Sequence, residues 1–343
     1  MKLSRECDGV LTSPSTSTRI DTDWGKKFRW RSYDGIVQLP ESVRRIIEER
    51  AAEVEFAALR NAAAVLSESY RAGRGAPLAD AEQAAAYLAI RMPATWAAAF
   101  LVLEEVRLRL NGRPIASILD VGAGTGAASL AARQWFPGAA ITMVERDRAA
   151  VEAAREWLGD GAVVVADANR METLPPHDLV MAAYSLGEMR SSLVMRLWRA
   201  ARVAMVVIEP GTTAGFSLVR NVRAELLQAG ARMVAPCPAE MPCPMASPDW
   251  CHFAARVERS RLHRQIKNAA LGYEDEKFSY VALAREPVET ASSRVIARPQ
   301  HRPGLIVFQT CTAGGLGTAR VTKRDREAYR AARKTGWGDA GIS

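Results

Sequence analysis

Two patterns of apolar and polar positions divide the chain. Residues 39–110 are rich in alanine and glutamate, and their apolar positions recur at helical spacing. Pro93 lies within this block and should end or kink a helix near Arg91. From residue 115 onward, short apolar runs alternate with helix-like segments. The pattern therefore predicts a helical amino-terminal region followed by an α/β region.

Five apolar runs after residue 115 each end in small or polar residues, as buried parallel strands do. They are SILDVGAG, AAITMVER, AVVVADA, HDLVMAAYSL and RVAMVVIEPG. Helix-like stretches separate them, which indicates an open, doubly wound sheet with right-handed crossovers. Four more strand-like runs follow further along, namely KFSYVALAR, SRVIAR, GLIVFQTCT and TARVTK, and the basic helix-like run KRDREAYRAARKTG comes after them.

These patterns predict five segments. We expect a flexible tail at 1–38, a helical region at 39–112, a Rossmann-like core at 113–235, a cysteine-rich metal-binding insertion with a basic helix at 236–270, and C-terminal strands with a basic tail at 271–343.

Composition is that of an ordinary soluble protein, with 48% hydrophobic and 24% charged residues. No apolar run approaches the roughly 20 residues of a membrane-spanning helix. Residues 1–24 lack the apolar core of a secretory signal, and their four acidic residues argue against a mitochondrial transit peptide. We therefore expect a cytoplasmic monomer without a membrane partner. In a reducing compartment, clustered cysteines bind metal more often than they form disulfides.

Positive charge is concentrated in the last quarter of the chain. Residues 256–343 hold 17 Lys and Arg against 9 Asp and Glu, which accounts for the whole net charge of +8. Such a concentration favours phosphate neutralisation. The alternative is a basic surface that serves only solubility.

The stretch ILDVGAGTGAASLAA, residues 118–132, is the strongest conventional motif. It lies at a strand-to-helix junction, where glycines permit a tight turn and the close approach of a ligand. The next strand ends at Glu145, whose carboxylate can accept hydrogen bonds from ribose hydroxyls. Asp167 ends the third strand, where an adenine edge would lie. The candidate cofactor-binding residues are Asp120, Gly122, Gly124, Gly126, Glu145 and Asp167.

The motif DVGAGTG resembles the first motif of class I S-adenosylmethionine-dependent methyltransferases more closely than the nicotinamide fingerprint. The resemblance implies that the glycine loop holds the methionine part of S-adenosylmethionine and that Glu145 holds the ribose. A dinucleotide and a vestigial pocket remain the alternatives.

No catalytic residue can be assigned from the sequence. Base-directed methyltransferases commonly carry an Asn- or Asp-Pro-Pro-Tyr element after the fourth strand, whereas this chain has LVMAAYSLGEM. Glu188 or Glu209 can act as a base, and either can equally cap a helix or line the pocket.

Three cysteines, Cys237, Cys243 and Cys251, are spaced C-x5-C-x7-C, and Cys311 lies in a strand-like run downstream. Four thiolates satisfy either tetrahedral zinc or a cubane iron–sulfur cluster. Paired C-x2–4-C knuckles are absent, and the wider spacing favours a larger cluster. Unliganded buried cysteines are the alternative. His252 can replace one cysteine as a ligand, and Cys7, which lies in the predicted tail, is not expected to be a ligand.

The segments YLAIRMPATWAAA, DVGAGTG, PCPAEMPCPMASPDWCHFAARVERSRLHRQIK, YEDEKFSYVALAR and YRAARKTGWGD occur in this order. Over residues 39–339 the chain resembles the methyltransferase-like proteins of the small mitochondrial ribosomal subunit and their bacterial relatives. The resemblance implies a class I methyltransferase fold with a 4Fe–4S cluster on Cys237, Cys243, Cys251 and Cys311. It also implies binding to the immature small subunit near its rRNA. Relatives often have His-Asp where this chain has Ala239-Glu240, which leaves the thiolates untouched.

The stretch RVERSRLHRQIK, which follows the third cysteine closely, predicts about three helical turns that carry positive charge on much of their surface. A second basic run begins at Lys323. Sparse aromatic residues favour recognition of the shape and backbone of folded RNA over stacking on single strands. The candidate RNA-binding residues are Arg256, Arg259, Arg261, Arg264, Lys267, Lys323 and Arg324.

Together these features predict a factor for ribosome assembly or translation that binds S-adenosylmethionine and rRNA and carries a 4Fe–4S cluster. The first alternative is an active S-adenosylmethionine-dependent rRNA methyltransferase. The second is an iron or redox sensor whose cluster gates RNA binding.

Overall fold

The computed structural model describes residues 35–71, 78, 80–158 and 163–341. Cys7 and residues 1–34 of the predicted tail lie outside this described part. The described chain forms two sheets, a large mixed one and a small antiparallel one, with helices packed against both.

Four helices form the expected helical region: α1 (Glu41–Ala52), α2 (Phe56–Arg71), α3 (Ala81–Ile90) and α4 (Met92–Leu110). The break predicted at Pro93 is confirmed, since Arg91 separates α3 from α4 and the proline occupies the first turn of α4. Most of α4 is buried in the core. Among the described residues, no single helix has the length and apolar character to cross a membrane. Only α3 and α4 taken together, bent by 47°, meet those criteria.

The five predicted strands form the parallel part of the large sheet in the order β3-β2-β1-β4-β5. They are β1 (Ser117–Val121), β2 (Ala140–Glu145), β3 (Val163–Val165), β4 (His177–Ala183) and β5 (Ala201–Pro210). The connecting helices are α5 (Ala127–Trp135), α6 (Arg148–Leu158), α7 (Leu193–Ala200) and α8 (Thr213–Gln228). This order confirms the expected doubly wound, methyltransferase-like fold class.

Beyond β5 the sheet continues with antiparallel pairing. β8 (Tyr273–Ala284) pairs with β5 on one side. Along its other side lie β6 (Arg232–Ala235), paired with residues 282–284, and β7 (Phe253–Glu258), paired with residues 273–278. β6 and β7 therefore behave as one interrupted strand, and the loop at 236–252 leaves the sheet opposite residues 279–281.

The small sheet consists of β9 (Ser293–Val295), β10 (Gln300–Arg302), β11 (Leu305–Thr312) and β12 (Gly315–Thr322), with β10 and β12 on either side of β11. The four further strand-like runs of the sequence lie in β8, β9, β11 and β12, whereas β10 was not predicted. The basic run after β12 contains the helix α10 (Arg326–Ala332), which packs on one face of this sheet.

The prediction of a three-turn basic helix is wrong for the first half of that segment. Residues 253–258 form β7, in which Phe253, Ala255 and Val257 are buried and alternate with more exposed residues. That period of two fits a strand, and β8 supplies the pairing partner. The helix α9 covers only Arg261–Lys267, and the Ser260 hydroxyl caps it by accepting from His263 N at 3.1 Å.

Candidate functional site

The glycine loop lies at the carboxyl edge of β1 and turns into α5. Gly122, Gly124 and Gly126 have φ of 69°, 54° and 78°, a region that L side chains rarely adopt. A Cβ at Gly122 would lie 2.5 Å from Ser185 Cβ, whereas a Cβ at Gly124 would meet nothing within 4 Å. The loop after β4 therefore packs against the first glycine, and the second glycine faces open space.

Glu145 holds this loop through its carboxylate. Its Oε2 accepts from Gly124 N at 2.8 Å, and its Oε1 accepts from Arg146 N at 2.7 Å and from Asp147 N at 2.9 Å. Three of the roughly four acceptor positions of a carboxylate are thus taken by backbone N–H groups. Accepting from both hydroxyls of a ribose requires at least one of these bonds to be exchanged.

The other two candidate cofactor residues lie at the same edge of the sheet but face neighbouring backbone or helices. Asp120 is fully buried and accepts from the Ser129 hydroxyl at 2.7 Å, which ties α5 to β1. Burial raises the pKa of Asp120 to about 7. Asp167 accepts from Asn169 N at 2.9 Å and caps the short 3-10 helix that follows β3.

The loop after β4 carries an unusual residue. Tyr184 is not glycine but has φ of 57°, and its ring lies under the Arg91 guanidinium at 5.5 Å. Arg91 in turn forms two hydrogen bonds of 3.1 Å with Glu276 of β8. Arg91 and Glu276 carried no recognisable sequence signal, since only the fold brings the α3–α4 junction to β8.

Of the two proposed bases, Glu209 is buried and Glu188 is exposed. Glu209 Oε1 accepts from Leu186 N at 2.9 Å and from Gly187 N at 3.3 Å, so it holds the loop after β4. Burial raises the pKa of Glu209 to about 7. Glu188 lies 3.6 Å from Arg146 in an exposed ion pair.

The second candidate site is a pocket between the large sheet and the small one. Four free cysteines line it: Cys237, Cys243, Cys251 and Cys311. Cys237 follows β6 by two residues, Cys251 precedes β7 by two, and Cys311 lies on β11. The interrupted edge of β8 thus brings the first three together, and the small sheet supplies the fourth.

The pKa values of Cys251 and Cys311 are raised by burial and by neighbouring thiols. Burial raises the pKa of Cys251, and the other three cysteines add to the rise. Burial also raises the pKa of Cys311 to about 11, with contributions from Cys237 and Cys243. Within the described residues, no three His, Cys, Asp or Glu side chains lie close enough together to hold a single metal ion.

Two buried arginines that the sequence analysis missed flank this pocket. Arg223 of α8 donates to the carbonyls of Ala239 and Met241, at 2.8 and 2.7 Å, and so holds the loop between Cys237 and Cys243. Its Nε is buried without a hydrogen-bond partner. Arg294 donates to Pro236 O at 3.0 Å, next to Cys237. Both guanidiniums oppose the rise in the pKa of Cys237 that burial causes.

An aromatic stack lies beside the third cysteine. His252 stacks on Trp250 with ring centroids 5.2 Å apart, and Trp337 meets the imidazole edge to face at 4.9 Å. His252 Nδ1 lies 3.3 Å from Trp250 O. Trp250 donates to Gly211 O at 2.9 Å, so the stack also borders the end of β5. His252 itself is not among the residues that line the pocket.

The basic candidates fall into two groups. Arg256 forms a two-point ion pair with Asp275, at 2.7 and 3.1 Å, and Arg259 pairs with Glu274. Lys267 is exposed and donates to the Ser67 hydroxyl at 2.6 Å. The remaining four are exposed and have no ion pair within the described residues: Arg261, Arg264, Lys323 and Arg324.

A protein-family model described as "Mitochondrial small ribosomal subunit Rsm22" matches residues 81–341. The human "Ribosome assembly protein METTL17, mitochondrial" is 29% identical over 286 residues, which cover 74% of this chain and 61% of that protein. Rsm22-cox11 tandem protein 2 of Schizosaccharomyces pombe, also mitochondrial, is 24% identical over 321 residues, which cover 75% and 43%. The chain therefore spans less than two thirds of the length of these relatives.

Solved structures of methyltransferases are similar at a lower level. The plantazolicin methyltransferase BpumL in complex with SAH is 13% identical with a TM-score of 0.42, covering 71% of this chain and 100% of that one. The precorrin-6y C5,15-methyltransferase of Geobacter metallireducens is 16% identical with a TM-score of 0.36, covering 54% and 87%.

The expectation of a cytoplasmic location is contradicted by these relatives, which are mitochondrial proteins. That expectation rested on the composition of residues 1–24.

Proposed function

The chain belongs to the Rsm22 family of the mitochondrial small ribosomal subunit, and from that premise we propose that it is a mitochondrial factor in the assembly of that subunit. In this proposal it binds small-subunit rRNA, carries a 4Fe–4S cluster and binds S-adenosylmethionine in the glycine-loop site. The observation that carries the proposal is the convergence of four cysteines from two sheets on one pocket.

The donor set of the pocket fits an iron–sulfur cluster. Four thiolates complete the ligation of a 4Fe–4S cubane, and Cys237, Cys243, Cys251 and Cys311 supply that number. The cluster would supply a net negative metal centre that joins the two sheets. Arg223 and Arg294 would then balance part of the negative charge, since both are buried and face the pocket.

Iron and sulfide analysis of anaerobically purified protein tests the cluster. We expect about four irons and four sulfides for each chain. A colourless protein that contains zinc and no sulfide would reject the cluster and leave a structural zinc site. Loss of iron from the Cys243→Ser variant would link the iron to this pocket, provided that near-UV circular dichroism shows that the variant is still folded.

Support for S-adenosylmethionine binding comes from the loop itself. Three successive positive-φ glycines, an acidic residue at the end of β2 and the open space at Gly124 match what a nucleoside with an amino-acid tail requires. Calorimetry with S-adenosylmethionine tests this part. Gly124→Arg places a side chain in that open space, so we expect it to abolish binding while the chain stays folded.

The second candidate function is catalysis of methyl transfer to rRNA, and the environment of Glu209 favours it. This carboxyl group has a pKa of about 7, lies at the carboxyl edge of the sheet and is close to Tyr184. Incorporation of labelled methyl groups into small-subunit rRNA, abolished by Gly124→Arg, would establish this activity. Without incorporation, a protein that still binds the rRNA acts in assembly alone.

The basic surface for rRNA in this proposal starts at α9, where Arg261 and Arg264 are exposed. The segment from Cys251 through β7 connects this helix directly to the thiol pocket. A sensor function would make RNA affinity depend on the cluster. Equal RNA affinity of the wild type and Cys243→Ser would reject the sensor and leave the assembly function intact.

A further inference from the structure

One face of the small sheet is covered by α10, and the other meets the thiol pocket at its Cys311 end, where buried Arg294 of β9 pairs with Cys311, and is open beyond that end. Ile306 and Phe308 of β11 are fully buried and form a core with Ala332 of α10. Side chains alternate between the two faces of a strand, so the odd-numbered residues of β11 point to the face opposite Ile306 and Phe308. On that opposite side Gln309 is exposed, and Leu305 and Val307 are half-buried.

The pairing register arranges this second face into rows, because directly paired residues of antiparallel strands share a face. The rows, from β10 across β11 to β12, are Arg302–Leu305–Thr322, Gln300–Val307–Arg320, Gln309–Thr318 and Cys311–Leu316. The side chains in these four rows form what we call the outer sheet face. Its last row includes one of the four pocket cysteines, so the face begins at the thiol pocket.

Charge on the outer sheet face has one sign. Its ten residues include two arginines, Arg302 and Arg320, and no acidic residue. Both arginines are exposed, and within the described residues neither has a carboxylate partner. Arg302 donates only a long hydrogen bond of 3.5 Å, to the Gln300 side chain. By contrast, the sequence-predicted Arg256 and Arg259 are each held by a carboxylate of β8.

We propose that the outer sheet face is a docking surface for the sugar–phosphate backbone of folded RNA. This inference rests on the proposed rRNA-binding function and adds a surface that the basic runs of the sequence did not indicate. Exposed guanidiniums contact phosphate, while Gln and Thr side chains donate to and accept from phosphate oxygens and 2′-hydroxyls. Among the apolar residues of the rows, Leu316 is exposed, and Leu305 and Val307 are half-buried beside the polar side chains with which they pair.

Recognition of backbone, and not of unstacked bases, follows from the residue types. The four rows contain no aromatic side chain on which a base could stack. Neighbouring strands are about 4.8 Å apart and each residue rises about 3.4 Å, so Arg302 and Arg320, which are two strands and two residues apart, have their backbones about 12 Å apart across β11. A groove or strand of folded RNA that crosses the three strands therefore meets both arginines and continues toward Cys311.

A double variant with a matched control tests the proposal in the intact protein. Arg302→Gln with Arg320→Gln removes both charges and keeps the polar side chains. The control, Arg155→Gln, removes an exposed arginine from α6, which packs beside β2 and β3 at the opposite end of the large sheet. Binding to an in vitro transcript of small-subunit rRNA is measured by fluorescence anisotropy over a series of salt concentrations.

We expect the double variant to bind the transcript roughly tenfold more weakly and to lower the salt slope of log K by about 1.5, as loss of two phosphate contacts predicts. The control should bind like the wild type, and iron content and melting temperature should not change in either protein. If the wild type does not bind the transcript, the proposed function itself fails. If the wild type binds and the double variant keeps its affinity and salt slope, or if the control weakens binding equally, the outer sheet face is not the docking surface.

Discussion

Arg294 and Glu105 form a buried ion pair: Arg294 Nη2 donates to Glu105 Oε1 at 2.8 Å, and their side chains are only 2% and 7% exposed. The pair joins β9 of the small sheet to α4 of the helical region. Arg294 also donates to Pro236 O and Gly338 O, so one side chain ties four parts of the chain together. The small sheet is thereby held against the core, which keeps Cys311 beside the other three cysteines.

Breaking this pair should destabilise the protein strongly. Arg294→Met leaves the Glu105 carboxylate buried with Arg109 as its remaining partner, and we expect a loss of about 3–5 kcal/mol in the free energy of unfolding. Chemical denaturation followed by circular dichroism measures it. Combining Arg294→Met with Glu105→Gln removes the stranded charge, so the double variant should recover part of the loss. A double variant as unstable as the sum of the single ones would contradict this account.

The contribution of Asp120 to stability should fall as the pH rises toward neutrality, because burial raises its pKa to about 7. Its unfolded value is about 3.9. Between these values the folded state binds the proton and the unfolded state does not, so stability is highest near the lower value and decreases as pH rises to the upper one. Asp120→Asn should reduce this slope by as much as about 1.4 kcal/mol per pH unit. Urea denaturation of ligand-free protein from pH 5 to 8 is the measurement, and an unchanged slope would refute the assignment.

Alanine substitutions at Gly122 and Gly124 should destabilise the protein to different extents. Both need a positive φ, which costs about 1 kcal/mol for alanine. At Gly122 the added Cβ also lies 2.5 Å from Ser185 Cβ and 2.6 Å from Met189 Cε. We therefore expect Gly122→Ala to lose about 2 kcal/mol more than Gly124→Ala in thermal unfolding. Equal losses would mean that the loop after β4 gives way freely.

Substitution of a pocket cysteine should remove the cluster, whereas substitution of a cysteine elsewhere in the chain should not. Cys311→Ser removes the thiol that the small sheet contributes, so we expect loss of iron, of sulfide and of the visible absorption of the cluster. Cys7→Ser is the matched control, since Cys7 lies outside the cysteine loop in sequence, and it should retain all three. Full iron content in Cys311→Ser would show that this residue is not a ligand.

Substitution of exposed arginines should weaken rRNA binding, whereas substitution of an ion-paired arginine should lower stability. Arg261→Gln with Arg264→Gln removes two exposed charges from α9, and we expect roughly tenfold weaker binding of small-subunit rRNA with a salt slope lower by about 1.5. Arg259→Gln instead breaks a partly exposed pair with Glu274, which should cost about 1 kcal/mol or less in stability and leave RNA affinity unchanged. Anisotropy and denaturation together measure both effects. Weaker RNA binding by Arg259→Gln alone would reverse these assignments.

Local pattern was enough to predict most elements of the fold. The Pro93 break, the five parallel strands and the strand-to-helix turn with its three glycines all follow from short-range rules of periodicity and backbone geometry. The basic segment after Cys251 was misread because the helical spacing of its arginines was given more weight than the period-two alternation of Phe253, Ala255 and Val257. Burial of Phe253, Ala255 and Val257 decided it, and that burial exists only because β8 lies alongside.

The sequence by itself determined which residue types were present: five cysteines, a glycine loop and an excess of basic side chains near the carboxyl end. Only the tertiary structure decided which of them meet and which are still exposed. Insertion of β8 between β5 and the interrupted β6–β7 edge brings Cys237 and Cys251 together, while the carboxylates of β8 bind Arg256 and Arg259. The register of the small sheet, in turn, places Arg302 and Arg320 on one face. The physical reason is that helix and strand formation depends on neighbouring residues, whereas strand pairing and ion pairing depend on partners far away in the chain.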